Sequence, residues 1–559
     1  MNEKIEDLLK ISLNVSEKER IQSPDLSCGY DEKSQTWEII IKYHGKLETI
    51  LEEVPLNWWH KLSYYYAVLR ITREELGILS QHPQIDYIEK PKRLYDEMIH
   101  GKRQSCMTDA WNQPIRGLHG QGVAVAIIDS GIDMQSPDFR NPDGSTRILA
   151  LWDQSTQTEY EKTQIDELLS PQTAAQQMPK PLPGADISGH GTAVAQIACG
   201  NRGVADKAKI IAVKLGVSHN QSFPRTTQLM EAVDYVIGKA IERNLPVAVN
   251  ISFGNNYGDH FGTSMLERYL DDIAFSGKSV ICVGTGNEGL GATHASGILE
   301  RESEQWVELA IDPYEMSLSI QIWKSYWDEL EVELVTPTGK RLGRITASQS
   351  LQRIQWEGTK ILGFCGEPSY YSMQQEIYLE FQGMDRSIVS GIWRIGLISS
   401  KVRSGRYDMW LPALGTRNKG TGFLYPDASM SLTIPSTASH VISVGAYDAY
   451  TDSYAPFSGR GMSVETWDLR FCKPDVVAPG VDIAITEFQR KSGTSFATPF
   501  VTGMVALLME WGIVKYNDIY LYGEKVKAYL IKGARPLPRE PVPSAKTGWG
   551  AVCERDSLP

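Results

Sequence analysis

The sequence predicts an α/β protein: a parallel sheet with helices on both faces, preceded by a small α+β region and interrupted by an antiparallel β-sandwich. The middle of the chain alternates short, continuously apolar runs with helical segments, which is typical of buried parallel strands covered by helices. A later stretch alternates apolar and polar residues with a period of two, as half-buried antiparallel strands do. The chain of 559 residues has room for about three to four domains.

Residues 1–104 predict the α+β region. β-rich runs at 36–44, 66–71 and 85–88 surround a helix that begins after Thr72, and Glu75 three residues later completes a capping box. This order indicates a split βαβ unit. The charged run that follows, residues 90–103, is expected to be an exposed linker.

The α/β domain is predicted in two parts, residues 105–297 and 431–535. Its expected strands and one of its helices lie at 123–128, 210–213, 247–251, 280–283 and 228–243. Between the two parts, Leu318, Ile320 and Ile322 alternate with polar residues, and so do Trp393, Ile395 and Leu397. Residues 298–430 therefore predict an inserted antiparallel β-sandwich of jelly-roll-like type. The tail, 536–559, has no catalytic signature.

Composition excludes several classes of function. The net charge is −12 and the pI about 5.5, which argues against general binding to nucleic acid or anionic membranes. No apolar stretch reaches the roughly 18 residues that span a bilayer. The seven cysteines are scattered without a CxxC pair, so neither a disulfide framework nor a zinc site is expected. No carboxylates have calcium-ligand spacing. We expect no metal and no cofactor.

Three short motifs carry the chemistry. Asp129 ends an apolar strand, where open α/β sheets bind ligands. His190 lies between glycines and is followed by small residues, so it is expected to begin a helix that other backbone can approach. Ser495 stands in a Gly-Thr-Ser-x-Ala-x-Pro string before an apolar helix. Each alone could be structural: a turn aspartate, a core histidine, a helix-capping serine.

Together the motifs resemble those of the subtilisin-like serine proteases, the subtilase family. The order Asp, His, Ser matches, and His190 lies 61 residues after Asp129 and 305 before Ser495. The inserted sandwich accounts for the second, long interval. The resemblance implies a subtilisin-like fold in which Ser495 is the nucleophile, His190 the general base and Asp129 its orienting carboxylate.

The resemblance also implies the rest of the site. Asn287, in Gly-Thr-Gly-Asn-Glu-Gly, matches the family's oxyanion-binding asparagine, with the backbone N–H of Ser495 as second donor. Residues 249–254 resemble the strand against which subtilases pair the substrate backbone, unless this is only a core strand. The predicted substrate-contacting residues are Ser252, Phe253, Gly254, Thr285 and Gly286.

The α+β region, the insertion and the polar, acidic N-terminus without a secretory pattern resemble the clostridial germination-specific Csp-type proteases. This implies a propeptide that acts as a folding chaperone and is cut off autocatalytically. Because the small region is expected to pack through its strands and not through the cut bond, we expect it to stay bound as an inhibitor. We predict the cut between Gln104 and Ser105. The implied protein substrate is a precursor cortex-lytic enzyme, activated during spore germination. Synthesis in the cytoplasm and packaging in the spore are expected.

Two other functions stay open. That group also contains members that have lost catalytic residues, so a catalytically silent scaffold or germinant sensor is the first alternative. The presence of Asp129, His190, Ser495 and Asn287 together favours an active endopeptidase. A general degradative subtilase is the second alternative, and the missing secretory pattern disfavours it.

Overall fold

The computed structural model describes residues 3–54, 56, 58–96, 117–170, 182–216, 223–347, 351–384, 386–462, 472–485 and 489–558. The chain folds into two compact units. The first comprises Met1–Arg93, Asn255–Met265 and Leu290–Ser431, and the second Leu94–Gly254, Leu266–Gly289 and Leu432–Pro559. The first unit therefore contains both the N-terminal region and the inserted segment.

The N-terminal region forms an antiparallel sheet with short helices. Its central strand, Thr36–Tyr43, pairs with Tyr66–Ile71 on one side and with Ile85–Glu89 and Tyr30–Asp31 on the other; Trp58–Leu62 pairs with Tyr66–Ile71. The predicted capping box is confirmed: Glu75 N donates to Thr72 Oγ1 at 3.3 Å and Thr72 N to Glu75 Oε2 at 2.7 Å. The helices are Asp7–Asn14, Glu17–Ile21, Pro24–Ser27, Leu47–Glu53 and Arg73–Gln81.

The inserted segment is the predicted antiparallel β-sandwich. Leu318, Ile320, Trp393 and Ile395 are all buried, as the period of two requires. One sheet has the strand order His294–Ile298, Arg406–Trp410, Ser317–Ser325, Gln374–Gly383, Thr359–Cys365, Gln352–Trp356. The other has the order Arg341–Ile345, Glu329–Val335, Gly391–Lys401, Glu304–Ile311, Gly422–Phe423.

The start of the expected exposed linker is buried, so that expectation was wrong for residues 90–95. Lys90 is 0% exposed, and its Nζ donates to the carbonyl oxygen of Cys28. Burial lowers the pKa of Lys90 to about 8. Lys92 Nζ lies 2.6 Å from a Glu6 carboxylate oxygen and 2.7 Å from one of Glu89. Burial opposes its charge, yet these carboxylates raise the pKa of Lys92. Contacts with residues distant in sequence therefore bury this charged segment, which the sequence alone predicts to be exposed to solvent.

The second unit is built on a largely parallel sheet. Its strands run in the order Ser453–Tyr454, Ile442–Asp448, Ser279–Gly284, Val247–Ile251, Ala124–Asp129, Lys209–Lys214, Ile148–Asp153, Thr158–Glu161, and Val476–Pro479 also pairs with Ile442–Asp448. The two outermost pairings, made by Ser453–Tyr454 and Thr158–Glu161, are antiparallel. The four strands predicted from apolar runs are confirmed, each shifted by at most one residue.

Helices cover this sheet. Thr226–Glu242 and Thr494–Met509 pack against its central strands, and the others are Lys162–Leu168, His190–Cys199, Met265–Ile273, Glu524–Gly533 and Glu554–Ser557. In the part of the chain that the structure describes, one helix, Thr494–Val514, is long and apolar enough to cross a membrane. Of the most apolar 18-residue stretch of this helix, 89% is buried inside the protein, as expected for a core helix.

Candidate active site

Asp129 and His190 form a buried pair in the second unit. Asp129 is the last residue of the strand Ala124–Asp129, and His190 is the first residue of the helix His190–Cys199. His190 Nδ1 lies 2.7 Å from Asp129 Oδ1, and both side chains are fully buried. A carboxylate accepts, so Nδ1 carries the proton in this pair. Nε2 is then the basic nitrogen, which is the tautomer that a general base requires.

Gly191, directly after the histidine, allows this close approach. A Cβ atom on Gly191 would lie 2.2 Å from the Gly131 carbonyl oxygen and 2.9 Å from Asp129 Cβ. Any larger residue would push the start of the helix away from the end of the strand. The small-residue frame that marks this motif in the sequence therefore has a steric cause.

Asp186 organises the turn before His190, and the sequence analysis missed it. Its Oδ1 accepts from Ser130 Oγ at 2.9 Å, Ser188 Oγ at 3.0 Å and Gly189 N at 2.9 Å, and its Oδ2 accepts from Thr192 N at 2.8 Å. Burial raises the pKa of Asp186, but these hydrogen bonds outweigh it and hold the pKa below its ordinary value. The available signal was an acidic residue just ahead of a helix N-terminus.

We expect Asp186→Asn to lower the free energy of unfolding by about 1–3 kcal/mol at pH 7, because the new amide group would face the Thr192 N–H. The folded-state pKa is depressed, so the wild-type contribution is complete above about pH 4 and is lost as pH falls through the folded pKa. Denaturant unfolding at several pH values measures this. The exposed Asp133→Asn is the control. A deficit that stays constant down to pH 2 would contradict this role of the Asp186 carboxylate.

Ser495 lies in the first turn of the helix Thr494–Met509, which begins earlier than the apolar run alone predicts. Its Oγ makes a long hydrogen bond, 3.5 Å, to the Ser252 carbonyl oxygen, and Ser252 Oγ donates to the Ser495 carbonyl oxygen at 3.3 Å. The His190 ring contacts Phe496 with a centroid distance of 5.4 Å and Phe253 with one of 6.0 Å. The structure thus gathers the predicted nucleophile, base and cleft strand.

Asn287 joins the same group. It follows the strand Ser279–Gly284, and its Oδ1 accepts from Thr494 N at 3.1 Å. Because Oδ1 makes this bond, the other polar group of the Asn287 amide is Nδ2. Nδ2 is a hydrogen-bond donor, which is what binding of an oxyanion requires. Gly286 has φ +81°, and a Cβ atom there would lie 2.3 Å from Thr433 Cγ2, so glycine is needed beside Asn287. Thr285 is buried and its N–H donates to the Val444 carbonyl oxygen at 3.1 Å.

The predicted cleft strand carries an added strand from the same chain. Tyr95–Asp96 pairs antiparallel with Phe253–Gly254, with Asp96 opposite Phe253 and Tyr95 opposite Gly254. Leu94 N donates to the Pro224 carbonyl oxygen at 2.7 Å, and the Tyr95 ring packs edge-on against Phe223 with a centroid distance of 4.6 Å. This is the geometry of peptide recognition by strand addition. Gln104 and Ser105 lie outside the described residues, so the predicted cut stays a prediction.

Among the residues that the structure describes, no group of three or more histidine, cysteine, aspartate or glutamate side chains is placed to hold a metal ion. The arrangement of Asp129, His190, Ser495 and Asn287 can perform acyl transfer with side chains and backbone alone.

Comparisons with known proteins agree with this site. Residues 120–351 and 418–550 match the subtilase family, and residues 3–92 match the Csp protease B prodomain. The solved structure of the CspB protease of Clostridium perfringens is 36% identical with a TM-score of 0.73, and the match covers 81% of this chain and 95% of that one.

Two curated proteases give more partial matches. The minor extracellular protease Vpr of Bacillus subtilis (strain 168) is 24% identical over 452 residues, which are 77% of this chain and 50% of Vpr. The thermophilic serine proteinase of Bacillus sp. (strain AK1) is 45% identical over 82 residues, 14% of this chain and 18% of that protein. The chain thus spans at most half the length of these two curated relatives.

Proposed function

Because the chain belongs to the subtilase family of serine endopeptidases and carries a Csp protease B prodomain, we propose that it is a self-processing endopeptidase that activates another protein by limited proteolysis. The observation that carries this is the buried Asp129–His190 hydrogen bond of 2.7 Å in the same cleft as Ser495 and the strand-paired residues Tyr95–Asp96.

In the proposed mechanism His190 acts first as a base and then as an acid. Ser495 Oγ attacks the scissile carbonyl carbon while His190 Nε2 takes its proton, and Asp129 stabilises the imidazolium that forms. The negative charge moves to the carbonyl oxygen, where Asn287 Nδ2 and the Ser495 backbone N–H donate to it. His190 then gives the proton to the leaving amine. Water hydrolyses the acyl-enzyme by the same steps in reverse order.

The proposed substrate is a precursor cortex-lytic enzyme, with the protease packaged in the spore and acting during germination. The resemblance to Csp-type proteases and the 36% identity with the Clostridium perfringens CspB protease support this role. The test is to incubate purified protein with such a precursor and to sequence the new N-termini, with Ser495→Ala as the control. One discrete cut made only by the wild type supports the role. A ladder of fragments favours a general degradative protease, and no cut despite self-processing excludes this substrate.

We also propose that the prodomain stays bound after the cut, because it packs on the inserted sandwich within the first unit. Leu8, Ile11, Val15 and Leu26 form one apolar cluster with residues of the sandwich sheet, namely Leu362, Phe364 and Tyr378. Buried Glu19 accepts from Arg353 Nε at 2.9 Å and pairs with Lys360. Burial alone would raise the pKa of Glu19, but these two cations lower it to about 2.

We expect Arg353→Glu to raise the dissociation constant of the cut prodomain at least tenfold, because the buried Glu19 carboxylate would then face a like charge. The matched control is Arg344→Glu, whose guanidinium pairs with Glu331 on the other sheet of the sandwich, 2.8 Å away. Size-exclusion chromatography of the processed protein at decreasing concentration, followed by denaturing electrophoresis, measures the retained fragment. Loss of the fragment from processed wild type would refute retention and leave the protease assignment standing.

A further inference from the structure

A cavity outside the active site lies in the first unit, between the start of the N-terminal region and the sandwich sheet. Its inner part, about 60 Å³, is lined by seven carboxylate residues but only two lysines, Lys10 and Lys92. An outer part of about 520 Å³ has the size of a small-molecule site. The two parts share the lining residues Glu3, Asp7, Lys10, Glu367 and Pro368 and are therefore adjacent.

Most of the inner carboxylates already have partners. Asp7 lies 2.8 Å from Lys10 Nζ and accepts from Glu367 N at 2.9 Å. Glu89 lies 2.7 Å from Lys92 Nζ and accepts from Met265 N at 3.0 Å. These contacts use both lysines of the cavity. Lys92 Nζ also lies 2.6 Å from a Glu6 carboxylate oxygen, so both lysines of the cavity already pair with carboxylates.

Glu376 has no such contact among the described residues. It lies on the strand Gln374–Gly383, is 8% exposed and lines the inner cavity. Among the described residues, no hydrogen bond or ion pair reaches its carboxylate. Burial raises its pKa well above the ordinary value, with smaller contributions from neighbouring carboxylates. The largest charge interactions at Glu376 come from Asp7, Glu6 and Asp259, which raise its pKa, and from Lys92, which lowers it. The Tyr87 phenol also interacts with Glu376.

The surroundings indicate the kind of ligand. The Glu376 carboxylate, once ionised, calls for a positive charge, and the described residues show no three-residue metal cluster, whereas hard divalent cations take six or more oxygen ligands. The aromatic side chains of Tyr87, Tyr257 and Trp323 also line the inner cavity and favour an organic cation. Tyr326, Phe364 and Pro368 add apolar surface to the outer cavity, which the charged residues Glu3, Asp7, Lys10 and Glu367 also line.

We propose that this cavity binds a small organic molecule with a protonated amino group, its ammonium on the Glu376 carboxylate and its uncharged body in the outer cavity. The proposal is independent of the catalytic function. Because Asp7 and Lys10 belong to the N-terminal region while Glu376 and Phe364 belong to the sandwich, a bound ligand also strengthens the contact between these two parts.

The ligand competes with a proton for Glu376. Binding therefore tightens as pH rises, by up to tenfold per pH unit while Glu376 is largely protonated, and levels off once the carboxylate is ionised. A primary amine keeps its charge below about pH 10, so the ligand does not contribute to this dependence. A ligand held only by apolar contacts would show no such dependence.

Calorimetric titration of full-length Ser495→Ala protein with n-butylammonium chloride between pH 6 and 9 tests the site, because this background keeps the chain uncut. A parallel titration with n-butanol tests the same alkyl chain without the positive charge. A titration with sodium chloride controls for the change in ionic strength. We expect saturable binding of n-butylammonium alone, with the affinity rising with pH. Glu376→Gln in this background should bind at least tenfold more weakly, and Glu331→Gln, on the other sheet, should bind as the parent does.

Three results would overturn the proposal: heats no larger than those of sodium chloride, equal affinity in Glu376→Gln, or saturation by calcium chloride instead of the ammonium. Glu376→Gln closely matches the shape of the protonated side chain, which the raised pKa favours, and should fold. If it does not, the pH dependence and the comparison with n-butanol decide the question on the parent protein.

Discussion

Replacing Ser495 with alanine should abolish self-cutting and lower peptide hydrolysis by roughly 10⁶-fold, the size of the loss measured for the nucleophile of subtilisin. The physical reason is that the Ser495 hydroxyl stands at the start of the helix, in contact with Ser252 beside the cleft strand, where the motif places the nucleophile. The folded structure should be unchanged, because alanine fits the same helical turn. Denaturing electrophoresis and intact mass of freshly purified protein measure the result.

Ser492→Ala is the matched control for this change. Ser492 lies three residues earlier, and its Oγ accepts from Asp482 N at 2.8 Å, so its loss affects only that turn. We expect this variant to cut itself as the wild type does. A processed species in pure Ser495→Ala protein would show that another group is the nucleophile.

Asn287→Ala should lower kcat by about 10²–10³, near 3 kcal/mol, with little change in KM, because the amide donates to the oxyanion rather than to the ground-state carbonyl. The structure adds a complication, since Asn287 Oδ1 also accepts from Thr494 N and so supports the helix that carries Ser495. The effect of alanine on kcat therefore combines the loss of a donor with the loss of an acceptor.

Asn287→Asp separates the two roles, because it keeps an acceptor oxygen and removes the donor group. We expect Asn287→Asp to lower kcat at least as much as Asn287→Ala does. Only Asn287→Ala should lower the melting temperature. Steady-state kinetics on a short peptide and thermal unfolding give both quantities. An Asp variant within about threefold of the wild-type kcat would mean that the oxyanion donor is another group.

The features that local sequence determines were predictable. Apolar runs predicted the strands Val247–Ile251 and Ser279–Gly284, and the period of two predicted the sandwich strands. Both patterns are visible in consecutive residues, because a strand buried on both faces is apolar throughout and one buried on a single face alternates. The glycines at 189 and 191 identified the histidine: Gly189 takes a φ of +69°, and Gly191 lets the backbone of Gly131 come close.

Features that depend on distant partners were not predictable. From the sequence alone, Lys92 is expected to be a solvated charge. In the folded protein its Nζ lies 2.6 Å from a carboxylate oxygen of Glu6, a residue distant in sequence. The contact between Arg353 and Glu19 joins residues 334 positions apart, and nothing in either segment indicates the other. Asp186 was missed because one of its donors, Ser130 Oγ, lies 56 residues away, and the other three come from a turn whose shape one sequence does not reveal.

Intact-mass analysis and N-terminal sequencing of the purified wild-type protein test the central claim most directly. The account predicts two species that elute together, a fragment of about 100 residues and a chain that begins near Ser105, both absent from Ser495→Ala. The new N-terminus also gives the distance from the cut to the strand-paired residues Tyr95–Asp96. A single full-length chain of 62.4 kDa in the wild type, indistinguishable from Ser495→Ala, would contradict self-processing and favour the catalytically silent alternative.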